Sequence, residues 1–126
     1  MGGKKNNRWL DLAEAEANAL MRALPVAVRD KLSGVSITVS RRPSADELLE
    51  DGDSEDLLGL FVGAPISEEF DDSGLPPSIR LFADNILDSA EGDAEAFKLE
   101  VRKTLLHEIG HYLGLDEDGL ELRGLA

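Results

Sequence analysis

Residues 105–114 are Leu105-Leu106-His107-Glu108-Ile109-Gly110-His111-Tyr112-Leu113-Gly114, and this stretch contains both histidines of the chain. On an α-helix, residues four apart lie on one face about one turn from each other, so two imidazoles at this spacing can bind one metal ion. The glutamate that follows the first histidine can reach a water molecule on that metal. The spacing H-E-x-x-H therefore predicts a helix that carries a metal site.

This helix is predicted to begin near Asp93 and to end at Gly114. Asp93 is a suitable N-cap, and a carboxylate at Glu95 interacts favourably with the helix dipole in the first turn. Projection at 100° per residue places apolar side chains on one broad arc and the histidines on a separate, polar side. The apolar arc comprises Phe97, Val101, Leu105, Ile109, Tyr112 and Leu113, and the polar side comprises Glu100, Thr104, His107 and His111. We therefore expect the imidazoles to face away from the core.

The same three residues suit the hydrolysis of a peptide bond. Neutral imidazoles at His107 and His111 would hold a zinc ion and leave a position for water. Glu108 can then act as the catalytic general base on that water and later return the proton to the leaving amine. Fe, Co or Ni are alternatives to Zn2+, because imidazole and carboxylate ligands discriminate poorly among these metals.

The third metal ligand has to be acidic, or be missing, because the chain has no further histidine and no cysteine. A catalytic zinc usually takes three protein ligands. Gly114 can adopt the left-handed conformation that ends the helix and turns the chain back toward the metal. In the spacing H-E-x-x-H-x-x-G-x-x-X, Glu117 stands where the similar motif of the metzincins has its third ligand. This resemblance implies Glu117 as the metal ligand, with Asp116 and Asp118 as alternates and Glu121 as a further candidate.

The composition is that of one acidic globular domain. Of 126 residues, 42% are hydrophobic, and 26 acidic against 13 basic side chains give a net charge of -13. This charge repels phosphate backbones, so nucleic acid is disfavoured as a partner. No segment approaches the roughly 20 apolar residues that span a bilayer, so we expect a cytoplasmic protein without a membrane partner. We also expect a monomer. Residues 1–7 are predicted to be a flexible tail, and residues 8–126 a single domain.

The rest of the chain alternates between predicted helices and strands. Residues 8–23 place apolar side chains at helical spacing, and Pro25 discourages continuation. Residues 35–40 alternate apolar and polar side chains, as in a strand with one face on the core. The remaining predicted elements are a short helix capped by Ser44 and extending through Leu48 and Leu49, an apolar central strand at residues 57–63, a strand at 78–82 and a helical turn at 84–88.

The chain resembles the small bacterial zincin-like metallopeptidases, or minimal zincins, in its H-E-x-x-H-x-x-G motif and the acidic turn that follows. Residues 57–66 and 75–82 are similar to that family's strand, short excursion and following strand. The resemblance implies an α+β fold in which a small mixed β-sheet packs with an N-terminal helix and a long helix bearing the motif. It also implies an edge strand over the metal helix, to which a peptide substrate could add. Our candidates for that strand are Ile79, Arg80, Leu81 and Phe82. No methionine follows the motif, so the Met-turn of full metzincins is absent.

Three functions are compatible with these features. A zinc metallopeptidase acting on peptide or protein substrates is favoured, because a site that only held a metal would not need Glu108. A non-catalytic, regulatory metal-binding module of the same shape is suggested by the small size and by the absence of a substrate-binding subdomain. A metal-dependent endoribonuclease would share the spacing of the two histidines, H-x-x-x-H, and the five residues that separate the second histidine from the third ligand. It would, however, have histidine where Glu117 stands, and the acidic surface opposes RNA.

Overall fold

In the computed structural model, the residues that the structure describes are 2–47, 56–63 and 76–114. The helices among them are α1 (Gly2–Ala23), α2 (Val26–Lys31), α3 (Ala83–Ser89) and α4 (Ala94–Leu113). The strands are β1 (Ser36–Ser40), β2 (Gly59–Val62) and β3 (Ser78–Phe82). These elements confirm the α+β class. Helix α1 begins at Gly2 rather than near residue 8, and the division into a tail and one domain stays a prediction.

The three strands form one mixed sheet in the order β1-β3-β2. β1 pairs with β3 in parallel, and β2 pairs with β3 antiparallel. β3 is therefore the central strand of the sheet, and its Ile79 and Leu81 side chains are fully buried. The prediction that residues 57–63 form the central strand is wrong, because β2 lies at an edge of the described sheet and its residues 60–62 are only half buried.

The prediction that Ile79, Arg80, Leu81 and Phe82 form a substrate-binding edge strand is also wrong. β3 is paired along its whole length with β1 on one side and lies against β2 on the other. Its backbone donors and acceptors already have partners in the sheet, so no peptide can add to it. Both errors concern the order of the strands in the sheet, which cannot be predicted from the hydrophobic pattern of a single strand.

The core lies between the sheet and the helices α1, α3 and α4. The predicted apolar arc of α4 is buried, except that Leu113 is only half buried. Trp9 of α1 packs edge-on against Phe97 of α4, with ring centroids 4.9 Å apart. Near the surface, Arg102 Nε donates to Glu16 Oε2 at 2.9 Å and connects the same two helices. These contacts hold the site-bearing helix against the N-terminal helix. Within the described residues, no helix combines the length and apolar character that a bilayer crossing requires.

Ser44 caps a short helical segment, as predicted, of which residues 45–47 lie within the described part. The Glu47 N–H donates to Ser44 Oγ at 3.2 Å, and the Ser44 N–H donates to Glu47 Oε1 at 2.9 Å, forming a capping box. Arg80 Nη1 of β3 donates to Glu47 Oε2 at 2.9 Å. Burial raises the pKa of Glu47, but the hydrogen bonds from Ser44 and Arg80 outweigh it and leave that pKa below its ordinary value. The predicted continuation through Leu48 and Leu49 lies outside the described residues.

We expect the stability contributed by Glu47 to disappear in acid. A carboxylate whose pKa is lowered by folding stabilises the protein above its ordinary pKa of 4.5, and the contribution is lost as the pH falls through the folded value. In urea unfolding, Glu47→Gln should be less stable than the wild type by on the order of 1 kcal/mol at neutral pH. The difference should shrink below pH 4.5. Asp46→Asn, at an exposed neighbour, is the control for net charge. A Glu47→Gln difference that is independent of pH would contradict this account.

Candidate metal centre

Helix α4 carries the site, and both of its ends are those that the sequence predicts. The Ala96 N–H donates to the Asp93 carboxylate at 2.8 Å, which satisfies one backbone donor at the N-terminus. Gly114 lies at φ 72° and ψ 26°, in the left-handed region that favours glycine. The helix therefore stops directly after the motif. The predicted third ligand Glu117 and its alternates Asp116 and Asp118 lie outside the described residues, so that ligand stays a prediction.

His107, Glu108 and His111 come together near the C-terminal end of α4. Each offers one possible ligand atom, and the three atoms lie within 4.8 Å of one another. The imidazole ring centroids are 4.4 Å apart, with an interplanar angle of 63°. Both histidines are exposed, as the helical projection predicts. Two adjacent imidazoles on an exposed helix face fit a divalent metal, since further ligands can approach from the open side.

Glu108 differs from the histidines because its side chain is buried, with only 8% exposed. Its Oε2 lies 3.3 Å from His111 Nδ1. If Nδ1 of a neutral His111 carries the proton, this contact leaves Nε2 as the nitrogen that can donate electrons to a metal. The carboxylate can thus orient His111 and also lie beside a molecule bound between the histidines. Sequence reasoning did not anticipate this burial, because the projection assigned Glu108 to neither side of the helix.

Strand β2 lies alongside the same part of α4 and borders the site. A Cβ atom added to Gly59 would lie 2.6 Å from Thr104 Cγ2 and 3.2 Å from the carbonyl oxygen of Arg80, so glycine is needed for this close approach. Farther along the strand, Phe61 packs against Tyr112, with ring centroids 5.6 Å apart. Thr104 precedes the motif and Tyr112 directly follows His111, so β2 passes beside the histidines.

Gly59 and Thr104 are positioning residues that the sequence analysis missed. Thr104 was predicted to lie on the polar side of α4, but it is buried because β2 covers it. The available signal was a single glycine inside an apolar strand pattern, which often marks close approach of another element. Without knowledge of which element approached, that signal could not identify Thr104.

The free edge of β2 presents the backbone groups of Gly59 and Phe61. The Phe82 N–H donates to the Leu58 carbonyl at 3.0 Å, so residues 58, 60 and 62 direct their backbone groups toward β3. The alternate residues, Gly59 and Phe61, direct theirs to the opposite side. Among the described residues, no strand pairs with that side. Thr104, which contacts β2, projects only about 20° from His111 at 100° per residue, so this edge lies near the histidine face.

Residues 32–125 match the family model described as zincin-like metallopeptidase. The chain belongs to the zincin-like metallopeptidase family. The match includes α4, the three described strands and the acidic residues 116–118, and it confirms the resemblance inferred from the H-E-x-x-H motif. A search of curated proteins found no match. As a zincin-like protein, the chain is expected to use a divalent metal, typically zinc, and His107, Glu108 and His111 form a group able to hold one.

Proposed function

We propose that this zincin-like protein is a zinc-dependent metallopeptidase. His107 and His111 would hold the metal, and Glu108 would be the catalytic base. The observation that supports this assignment is the buried Glu108 carboxylate beside two exposed imidazoles. A carboxylate in this place can also take up a proton from a molecule bound between the histidines, which a site that only stores a metal does not require. Family membership favours a peptidase over the ribonuclease that the histidine spacing also allowed.

The chemistry is divided between the metal and the protein. When bound, zinc supplies a Lewis acid that polarises a carbonyl group and makes a coordinated water more acidic. The Glu108 carboxylate would accept a proton as water attacks the peptide carbonyl, and it would then give that proton to the leaving nitrogen. We propose Glu117 as the third ligand, with Asp116 and Asp118 as alternates, because a glycine in the left-handed conformation at Gly114 can turn the chain that follows back toward the histidines.

We further propose that the substrate is an extended peptide that adds to β2 as a strand. Main-chain groups of Gly59 and Phe61 would hydrogen-bond to the peptide backbone, as in other cases of strand addition. This edge replaces residues 79–82, whose backbone groups are used within the sheet. The contacts of β2 with Thr104 and Tyr112 would hold the peptide beside the histidines.

Removal of the metal tests the proposed function. We expect chelation to abolish cleavage of a fluorogenic peptide library, and added zinc to restore it. His107→Ala and His111→Ala should each lose both zinc and cleavage, whereas Glu100→Gln, on the polar side of the same helix, should retain both. Alanine variants at Asp116, Glu117 and Asp118 would identify the third ligand by the largest loss of zinc affinity. Cleavage that persists in the chelated protein or in the histidine variants would refute the proposal.

A further inference from the structure

Among the described strands, β1 forms the other edge of the sheet, on the side away from β2. Its sequence, Ser36-Ile37-Thr38-Val39-Ser40, contains no charged residue and no proline. Monomeric proteins usually protect an edge strand with a lysine, a proline, a bulge or a very short length, because an unpaired edge can pair with another chain. β1 pairs with β3 over five residues in unbroken register. In the part of the chain that the structure describes, nothing of this kind protects its outer edge.

The backbone groups at this outer edge belong to Ile37 and Val39. The Ser36 N–H donates to the Pro77 carbonyl at 3.3 Å, so Ser36, Thr38 and Ser40 direct their backbone groups toward β3. Because hydrogen-bonding direction alternates along a strand, Ile37 and Val39 direct their N–H and C=O groups outward. The edge thus offers two donors and two acceptors to a further strand.

The strand is also self-complementary about Thr38. If two copies pair antiparallel around a two-fold axis at Thr38, Ile37 lies opposite Val39 and Ser36 lies opposite Ser40. Hydrogen-bonded and non-hydrogen-bonded pairs alternate in antiparallel sheets. Each Ile37–Val39 pair would exchange two backbone hydrogen bonds, and the Thr38 pair between them would be non-hydrogen-bonded. In this register, every outward N–H and C=O group of Ile37 and Val39 has a partner. The strand therefore meets the condition for a two-fold interface, in which the same surface of both copies must be complementary to itself.

The side chains around the edge are compatible with a second copy. Ser36, Thr38 and Ser40 are exposed on one face, whereas Ile37 and Val39 are half buried on the other. A groove of about 390 Å³ lies between β1 and α1 on the Ile37 and Val39 side, and its lining from α1 is Glu14, Ala17 and Asn18. Ile37 and Val39 of a second copy would lie on the same face of the joined sheet as Ile37 and Val39 of the first, next to the groove.

We propose that β1 is a homodimer interface, in which two copies pair antiparallel along Ser36–Ser40 with Thr38 at the two-fold axis. The two sheets then become one of six described strands, and β2 with its neighbouring histidines stays accessible at each outer edge. The expectation of a monomer took no account of which strand lies at an edge. A net charge of -13 makes two copies repel each other, so the dimer is reversible and gains strength with ionic strength.

Disulfide cross-linking tests the proposed register. The chain has no cysteine, so Thr38→Cys introduces a single thiol at an exposed position. Non-hydrogen-bonded antiparallel pairs have Cα atoms about 4.5 Å apart, a distance that a disulfide spans. We expect Thr38→Cys to give a covalent dimer of twice 13.6 kDa under mild oxidation. Ser36→Cys is the matched control, since its two copies would lie roughly 13 Å apart along the strands. No cross-link at Thr38, or equal cross-linking of both variants, would overturn the proposal.

Sedimentation equilibrium provides a test that does not depend on oxidation. The average mass of the wild type should rise from 13.6 kDa toward twice that value with protein concentration. Thr38→Lys and Thr38→Glu each place like charges opposite each other and should weaken the dimer by about fivefold, whereas an equimolar mixture should recover association. Ser36→Lys, which would face Ser40, is the control for added charge. A constant mass of 13.6 kDa for the wild type, or no effect of Thr38→Lys, would refute the interface.

Discussion

Glu108→Gln is expected to lower the rate of peptide hydrolysis by about 100- to 10,000-fold while the protein keeps its zinc. Glutamine has nearly the shape of glutamate, and its carbonyl oxygen can still accept a hydrogen bond from His111 Nδ1, which lies 3.3 Å from Glu108 Oε2. What glutamine cannot do is take up the proton of the attacking water. The measurement is kcat on a peptide identified from the library, together with zinc content by mass spectrometry.

Zinc content distinguishes the two roles that the geometry allows for Glu108. Loss of activity with full zinc occupancy supports the base, whereas loss of both would show that Glu108 acts chiefly by orienting His111. Glu100→Gln removes the same charge from the polar side of α4, and its activity should stay close to the wild-type value. Equal activity in Glu108→Gln and the wild type would exclude Glu108 as the base. Zinc binding without any cleavage by the wild type would favour the non-catalytic module.

The site-bearing helix was the part of the fold most accessible from the sequence. Its N-cap at Asp93, its apolar arc and its left-handed end at Gly114 depend on residues within a few turns of one another, and the structure has all three. Helix geometry likewise places the two histidines together, because residues four apart in an α-helix lie on the same face. That face is exposed because the apolar arc lies on a different side. Local chemistry therefore predicts this half of the site.

The walls of the site could not be predicted in the same way. The apolar run at residues 57–63 is compatible with a strand buried on both faces, but β2 is an edge strand that owes its burial at Gly59 to contact with Thr104. Strand order is decided by contacts between segments far apart in the chain, and it reverses the roles predicted for β2 and β3. The burial of Glu108 likewise depends on tertiary packing rather than on helical position.

Phe97→Ala is expected to lower the free energy of unfolding by roughly 3–5 kcal/mol, because it removes a large side chain from the core and leaves a cavity. Phe97 is fully buried in α4, and its ring meets that of Trp9 in α1 at 4.9 Å with an interplanar angle of 68°. Small domains are typically stable by only about 5–15 kcal/mol, so this loss is a large fraction of the total. Urea unfolding followed by tryptophan fluorescence measures this loss of stability. The signal comes from the Trp9–Phe97 contact, because Trp9 is the one tryptophan of the chain.

Leu99→Ala is the matched control, because Leu99 lies on the same helix two residues later and is 57% exposed. Its effect should stay within about 0.5 kcal/mol, as for most surface substitutions. Because Trp9 lies in α1, the fluorescence signal also reports whether α1, which precedes the family match at residue 32, unfolds together with α4. If Phe97→Ala costs no more than Leu99→Ala, the packing of Trp9 on Phe97 does not stabilise the domain. A large difference between the two variants would show that the buried Phe97 side chain stabilises the helix that carries His107 and His111.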